Sequence, residues 1–324
     1  MKNIAIVCGG NTGEYEISME SGKRVFENID SEKYRPFLIE IKGIQWSLLS
    51  SDGKKYPVKK EDFSVTFNSE TITFDAVFNA IHGSPGEDGK LQGYFDMLNI
   101  PYSSCGVDAS VLTFNKYLCN IFVRSFDIKT ATSFSFRKNE KLNKKTVIES
   151  LGFPLFIKPS RSGSSVGVSK VNNESEFDNA IQNAFAHDNR ILIEKAVLGR
   201  ELACGIATHK NKILVFPITE IKTNNTFFDY EAKYTHGKSE EITPALIPQE
   251  TAEDIQTLSR FLYEKMDCKG FVRFDYILSD NEIFFLEVNS IPGMTAASIL
   301  PQQARAYGLT EKELFTMAID NLFS

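Results

Sequence analysis

The sequence predicts an α/β unit at its N-terminal end followed by an α+β remainder. Three observations carry this. Short apolar runs alternate with helical spacing over residues 1–100, the pattern of a mostly parallel sheet covered by helices. From about residue 130 the signal changes to β segments around an intervening helix. Further on, two β-rich runs flank the polar stretch Ser279-Asp280-Asn281-Glu282, as in a hairpin.

Taken in order, Ile4–Cys8 reads as a strand and 17–28 as a helix, with buried strands over 36–41 and 74–81 and a helix over 91–98. A long helical pattern runs from Val107 to about Ser125. Strands follow over 154–158, 166–171 and 190–196, with a helix over 174–185. Residues 219–245 are polar and aromatic with little periodicity, and a loop of that length inside a compact enzyme suits a lid. Helices over 249–266 and about 310–322 complete the pattern.

A chain of 324 residues with 42% hydrophobic and 24% charged residues has the composition of a globular enzyme. A net charge of −6 argues against a nucleic-acid partner, whose footprint is basic. The five cysteines form no CxxC pair and predict neither a disulfide framework nor a zinc site, only reduced, mostly buried thiols. The chain enters a strand at once without the layout of a signal peptide, and no apolar stretch reaches the roughly 20 residues that cross a bilayer. A cytoplasmic enzyme without membrane contact is expected.

Chemistry concentrates in two places. With Asp280-Asn281-Glu282 as the turn, Ser279 faces Ile283, Asp275 faces Glu287 and Arg273 faces Asn289. The period of two in a strand puts these four side chains on one face, and Phe274, Tyr276, Leu286 and Val288 on the other. Two carboxylates and a carboxamide form an oxygen-only set suited to Mg²⁺, which takes few protein ligands. A salt bridge between Arg273 and either acid is the plainer alternative, and a one-residue slip of register would undo the arrangement. The second place is Lys158-Pro159-Ser160-Arg161-Ser162-Gly163-Ser164-Ser165-Val166-Gly167, a strand end and small-residue loop able to aim N–H groups at an anion. It is no Walker A loop, and neither Gly9–Glu14 nor His82–Gly89 is a dinucleotide fingerprint.

In combination these segments resemble the ATP-grasp superfamily, and within it the D-alanine–D-alanine ligase family. The resemblance rests on Gly9-Gly10-x-x-x-Glu14-x-Glu16-Ile17-Ser18, on His82-Gly83-x-x-Gly86-Glu87-Asp88-Gly89 and on the Lys158 loop. It continues through Tyr230-Glu231-Ala232-Lys233-Tyr234, Arg273-x-Asp275 and Glu287-x-Asn289-x-x-Pro292-Gly293-Met294-Thr295. It implies an N-terminal domain over 1–105, a central ATP-grasp domain over 106–200 and a catalytic domain over 201–324, with antiparallel sheets in the last two. The lid would span about 219–245. The implied activity is ligation of two D-alanines with ATP and two Mg²⁺ ions (Mn²⁺ as a substitute), with D-alanine–D-lactate or D-alanine–D-serine ligation as the alternative and a homodimer as the family expectation.

By resemblance, Lys116, Lys158, Ser165, Glu194, Lys195 and Glu201 are similar to the ATP-contacting set, and Asp275, Glu287 and Asn289 to the metal ligands. Glu14 matches the carboxylate that receives the first D-alanine's ammonium, linked through Ser164 to Tyr234. Arg273 and the Gly293 N–H match the oxyanion site. His82, Lys233, Ser298 and Ile299 fall where the substrates are held. Tyr15 stands where many relatives carry Arg, and Ile291 where Ser or Thr is common.

Overall fold

The computed structural model describes residues 1–210, 212–223 and 239–324. Strands β1 (Lys2–Gly9), β2 (Tyr34–Lys42), β3 (Gln45–Leu49), β4 (Lys55–Lys59), β5 (Ser64–Phe67), β6 (Glu70–Ile72) and β7 (Ala76–Asn79) form one sheet in the order β6-β5-β4-β3-β2-β1-β7. Only β2-β1-β7 is parallel. The sheet is therefore mixed, where the sequence pattern pointed to a mostly parallel one. The reason is chain length: Gly43-Ile44 is all that joins β2 to β3, and a connection so short permits only antiparallel pairing. Strands β3 to β6 were missed because they are three to five residues long and largely solvent-facing.

A second, antiparallel sheet contains β8 (Ser133–Arg137), β9 (Leu155–Pro159), β10 (Ser169–Val171) and β11 (Arg190–Lys195) in the order β10-β9-β11-β8. A third contains β12 (Arg200–His209), β13 (Lys212–Val215), β14 (Thr219–Thr223), β15 (Ser239–Ile242), β16 (Val272–Ser279) and β17 (Glu282–Asn289). Its order is β15-β14-β12-β16-β17, with β13 also on β12. The expected lid over 219–245 is thus not all loop: its two ends are β14 and β15, paired from Glu220 with Ile242 to Thr223 with Ser239. Residues 224–238, with Lys233 and Tyr234, lie outside the described residues.

The helices are α1 (Tyr15–Asn28), α2 (Lys90–Leu98), α3 (Val107–Phe114), α4 (Lys116–Arg124), α5 (Lys144–Leu151), α6 (Glu174–His187), α7 (Gln249–Lys265), α8 (Ile299–Tyr307) and α9 (Glu311–Asp320). The single helix expected over 107–125 is two. Asn115 breaks it in an extended conformation (ψ 95°), and its side chain accepts the Leu118 N–H, an N-cap that begins α4 afresh. On α1 the buried residues Ser18, Ser21, Gly22 and Val25 follow helical spacing. Ser18 Oγ donates to Ala80 O (2.7 Å) and accepts from Gly9 N (2.8 Å), fixing the helix to the ends of two strands.

The β16–β17 hairpin follows a different route to the expected register. The turn is Asp280-Asn281 alone, so Ser279 faces Glu282 and not Ile283. Both turn residues have positive φ, 49° and 64°, as a two-residue primed turn requires. A bulge between Asp275 and Tyr276 then adds one residue to β17, so that Asp275 faces Glu287 and Arg273 faces Asn289 after all. The bulge also moves Leu286. It lines the cleft described below, while Phe285 takes its expected place in the core, edge-on to Tyr276 at 6.1 Å.

All five cysteines are free and buried, and among the described residues no helix is long and apolar enough to cross a membrane. Asn281→Val places a β-branched side chain at positive φ and is expected to destabilise the fold by about 1–3 kcal/mol. Chemical denaturation checks this, and a neutral result excludes the turn conformation.

Candidate active site

A cleft of about 680 Å³ opens between the second and third sheets. It is lined by Lys116, Lys158, Ser164, Ser165, Glu194, Lys195, Glu201, Glu287 and Asn289, the whole expected nucleotide set and two of three expected metal ligands. Lys158 lies at the end of β9 and Glu194 on β11, on paired strands. Their side chains are 7% and 6% exposed and meet at 2.6 Å. Asn120 donates to the other oxygen of Glu194 at 3.0 Å. Sequence reasoning missed Asn120. It lies four residues after Lys116, one helical turn along the same face of α4, which is the signal that could have found it.

Lys116 opens α4 because Asn115 breaks the helix there. Its ammonium donates to Ser162 O (2.8 Å) and faces Glu287 (3.2 Å). Burial works to lower its pKa, but the charge and hydrogen bond of Glu287 together with the charges of Glu87 and Glu194 outweigh this, and the net direction is upward. The Ser162–Ser165 loop then passes over Glu14. Ser164 Oγ donates to Glu14 Oε1, and any Cβ at Gly163 would collide with the same carboxylate, so the loop approaches that closely only with glycine.

On the third sheet Arg273 donates through Nε and Nη2 to both oxygens of Asp275, each at 2.8 Å, and Asn289 Nδ2 donates to Asp275 Oδ2 at 2.9 Å. The salt bridge of the plainer reading is present, and it joins residues expected to ligate metal. Burial opposes the charge on Arg273, and Asp275, joined by the charges of Glu287 and Glu241, more than restores it, so its pKa is raised. The donor set of two carboxylates and one carboxamide fits Mg²⁺, a hard cation that shares its remaining positions with phosphate and water. Among the described residues no three His, Cys, Asp or Glu side chains come together as a metal cluster.

His82 is buried, and burial first of all pushes its pKa below the usual range; it is neutral at pH 7. Its Nδ1 lies 2.9 Å from Ile291 O and its Nε2 3.1 Å from Ser21 Oγ. Donation to the carbonyl assigns the proton to Nδ1 and leaves Nε2 as acceptor. Glu87 is likewise buried. Burial and then the charge of Glu14 push its carboxyl up to about 8, against the pull of the Gly83 and Ile291 N–H groups and of Lys116. Ser298 stands at the N-cap position of α8 without a side-chain capping bond, and its Oγ accepts from Thr295 N at 3.1 Å. Ile299 begins that helix beside it, where the N-terminal end favours an anion.

A Gly/Ser loop, a cleft between two antiparallel sheets and an oxygen-only ligand set on a hairpin define an ATP-grasp enzyme. Two family descriptions match the chain, "D-ala D-ala ligase N-terminus" over residues 3–105 and "D-ala D-ala ligase C-terminus" over 122–320. The D-alanine–D-alanine ligases of Bacteroides fragilis and Flavobacterium johnsoniae are 45% and 46% identical, each over 99% of both chains. Among solved structures, VanG D-Ala:D-Ser ligase from Enterococcus faecalis matches with a TM-score of 0.88 at 33% identity over 99% of both chains. D-alanine–D-alanine ligase from Bacillus anthracis complexed with ATP matches with 0.79 at 27% identity, covering 100% of this chain and 98% of that one. The chain belongs to the D-alanine–D-alanine ligase family.

Lys158→Met leaves the buried Glu194 without its cation and is expected to cost about 3–5 kcal/mol. Adding Glu194→Leu should recover most of that loss without recovering ATP turnover. Thermal unfolding and ADP release of the two variants check the pair, and a stable single variant rules the pairing out.

Proposed function

We propose that the chain joins two D-alanine molecules into D-alanyl-D-alanine, converting ATP to ADP and phosphate, as a step in making a peptidoglycan precursor. Full-length identity to enzymes of that name supports the reading. The observation that carries it is the meeting of Glu14 with Ser164, in a chain whose cleft also gathers Lys116, Lys158, Glu287 and Asn289. The D-serine alternative has a relative at 33% identity, below the 45% of the D-alanine enzymes, and is not favoured.

In this reading Glu14 receives the ammonium of the first D-alanine and holds its carboxylate toward the nucleotide. That carboxylate attacks the γ-phosphorus, ADP departs, and an acyl phosphate forms. Lys116 and Lys158 offset charge on the transferring group, a matter of positioning and electrostatics. Asp275, Glu287 and Asn289 would hold Mg²⁺, which when bound neutralises phosphate charge. Ser298 and Ile299, with Lys233, hold the second D-alanine's carboxylate. Its amine attacks the acyl carbon, loses a proton, and expels phosphate. Arg273 and the Gly293 N–H stabilise the intervening oxyanion. The segment between β14 and β15, with Tyr234, closes over the acyl phosphate and excludes water. A cytoplasmic location and a homodimer belong to the same reading.

The decisive assay is ADP release with ATP, Mg²⁺ and D-alanine, repeated with L-alanine, with added D-lactate and with the metal chelated. Turnover only with D-alanine and metal is expected; equal turnover with L-alanine sinks the reading. Loss of one oxyanion donor commonly costs about 10²–10³ in rate, so Arg273→Ala should lose at least that, and a loss under tenfold removes Arg273 from the role. Tyr234→Phe is expected to raise the share of D-alanyl-D-lactate when D-lactate competes. An unchanged product ratio in mass spectrometry counts against Tyr234 as discriminator.

A further inference from the structure

The oxyanion loop belongs to the C-terminal part of the chain, yet what holds it comes from the N-terminal part. Glu87 Oε1 accepts the Ile291 N–H at 3.1 Å, and Oε2 accepts the Gly83 N–H at 2.7 Å. His82 Nδ1 donates to Ile291 O at 2.9 Å. Ser21 Oγ accepts the Met294 N–H at 3.2 Å and lies 3.1 Å from His82 Nε2, to which its hydroxyl proton is free to donate. Each donor thus has its acceptor, and the peptide groups on either side of Pro292-Gly293 are gripped by three buried side chains.

The loop that carries Glu87 is itself braced. Glu87 N donates back to Gly83 O at 2.8 Å. Gly86 O accepts from Asn79 Nδ2 (3.0 Å) and Gln92 Nε2 (2.5 Å). A Cβ at Gly86 would collide with Ile81 O, so the loop sits tight against the strand end before it. Such bracing locks a side chain that in turn must hold another group to within a fraction of an ångström.

We propose that Glu87 is a positioning residue for the ligation: through its bond to the Ile291 N–H, seconded by His82 and Ser21, it fixes the place of the Gly293 N–H. This rests on the oxyanion role proposed for that N–H. A carboxyl group suits the task because each of its two oxygens has a lone pair that can accept an N–H, whereas a carboxamide of the same shape would confront one N–H with its own donors. A misplacement of about 1 Å in a catalytic group can cost a hundredfold in rate.

The test compares Glu87→Gln with Tyr34→Phe, which removes a hydrogen bond between the same two ends of the chain (Tyr34 OH to Asp320 Oδ1, 2.6 Å) that involves none of residues 291–294. Glu87→Gln is expected to lower kcat about ten- to a hundredfold with KM for ATP little changed, whereas Tyr34→Phe lowers the thermal midpoint and spares kcat. Wild-type kcat in Glu87→Gln overturns the proposal, and so does a loss of kcat matched by Tyr34→Phe. If Glu87→Gln does not fold, Ser21→Ala serves in its place, with a fall in kcat expected and an unchanged kcat overturning the clasp. A wild-type protein that makes no D-alanyl-D-alanine, or an Arg273→Ala variant at full rate, sinks the underlying reading instead. A normal wild type, an impaired Arg273→Ala and an unimpaired Glu87→Gln sink the clasp alone.

Discussion

A charge taken out of water needs a partner, and that constraint organises this cleft. An unpaired buried ion costs several kcal/mol, so the buried cations in and beside the cleft sit against anions: Lys158 on Glu194, Lys116 on Glu287, Arg273 on Asp275. These pairs hold the site in shape before any ligand arrives, joining β9 to β11 and α4 to β17. They also set the terms of binding. A nucleotide phosphate that approaches Lys116 or Lys158 competes with a carboxylate already there, and a cation at Asp275 competes with Arg273. Affinity is then a difference between two sets of ion pairs, and each carboxylate released by phosphate becomes available to a metal ion.

Much of this was legible in the sequence, for a definite reason. Period two keeps Arg273 with Asp275 on β16 and Glu287 with Asn289 on β17, the bulge brings the two pairs onto one face, and motif order identified the family. What stayed hidden depends on partners distant in sequence. Asn120 meets Glu194 across 74 positions and Glu87 meets Ile291 across 204; the spacing of Asn120 from Lys116 marks a shared helix face but names no partner, and nothing local to Glu87 announces its contact. The break at Asn115 was masked because its neighbours keep helical spacing on both sides. Strands β3 to β6 lacked an apolar run long enough to register. Leu286 was assigned to the core by strict alternation, which a bulge suspends without leaving a mark in the residues themselves.

Glu14 shows how the ends of the chain depend on one another. It starts α1, whose position is fixed by Ser18 against β1 and β7, yet its carboxylate is met by Ser164 from the second sheet. The substrate ammonium would therefore be received where two separately folded layers touch, so any shift between those layers changes the site before it changes either layer.

The hairpin's extra residue has a consequence of its own. With a two-residue turn and an unbroken ladder, Leu286 would face Asp275, and Glu287 would be turned toward the hydrophobic interior. The bulge acts as a phase corrector, separating the length of the hairpin tip from the alignment of the residues near its base. A relative with one more residue in the tip and no bulge would present the same four groups, so tip length and bulge are free to vary together but not apart.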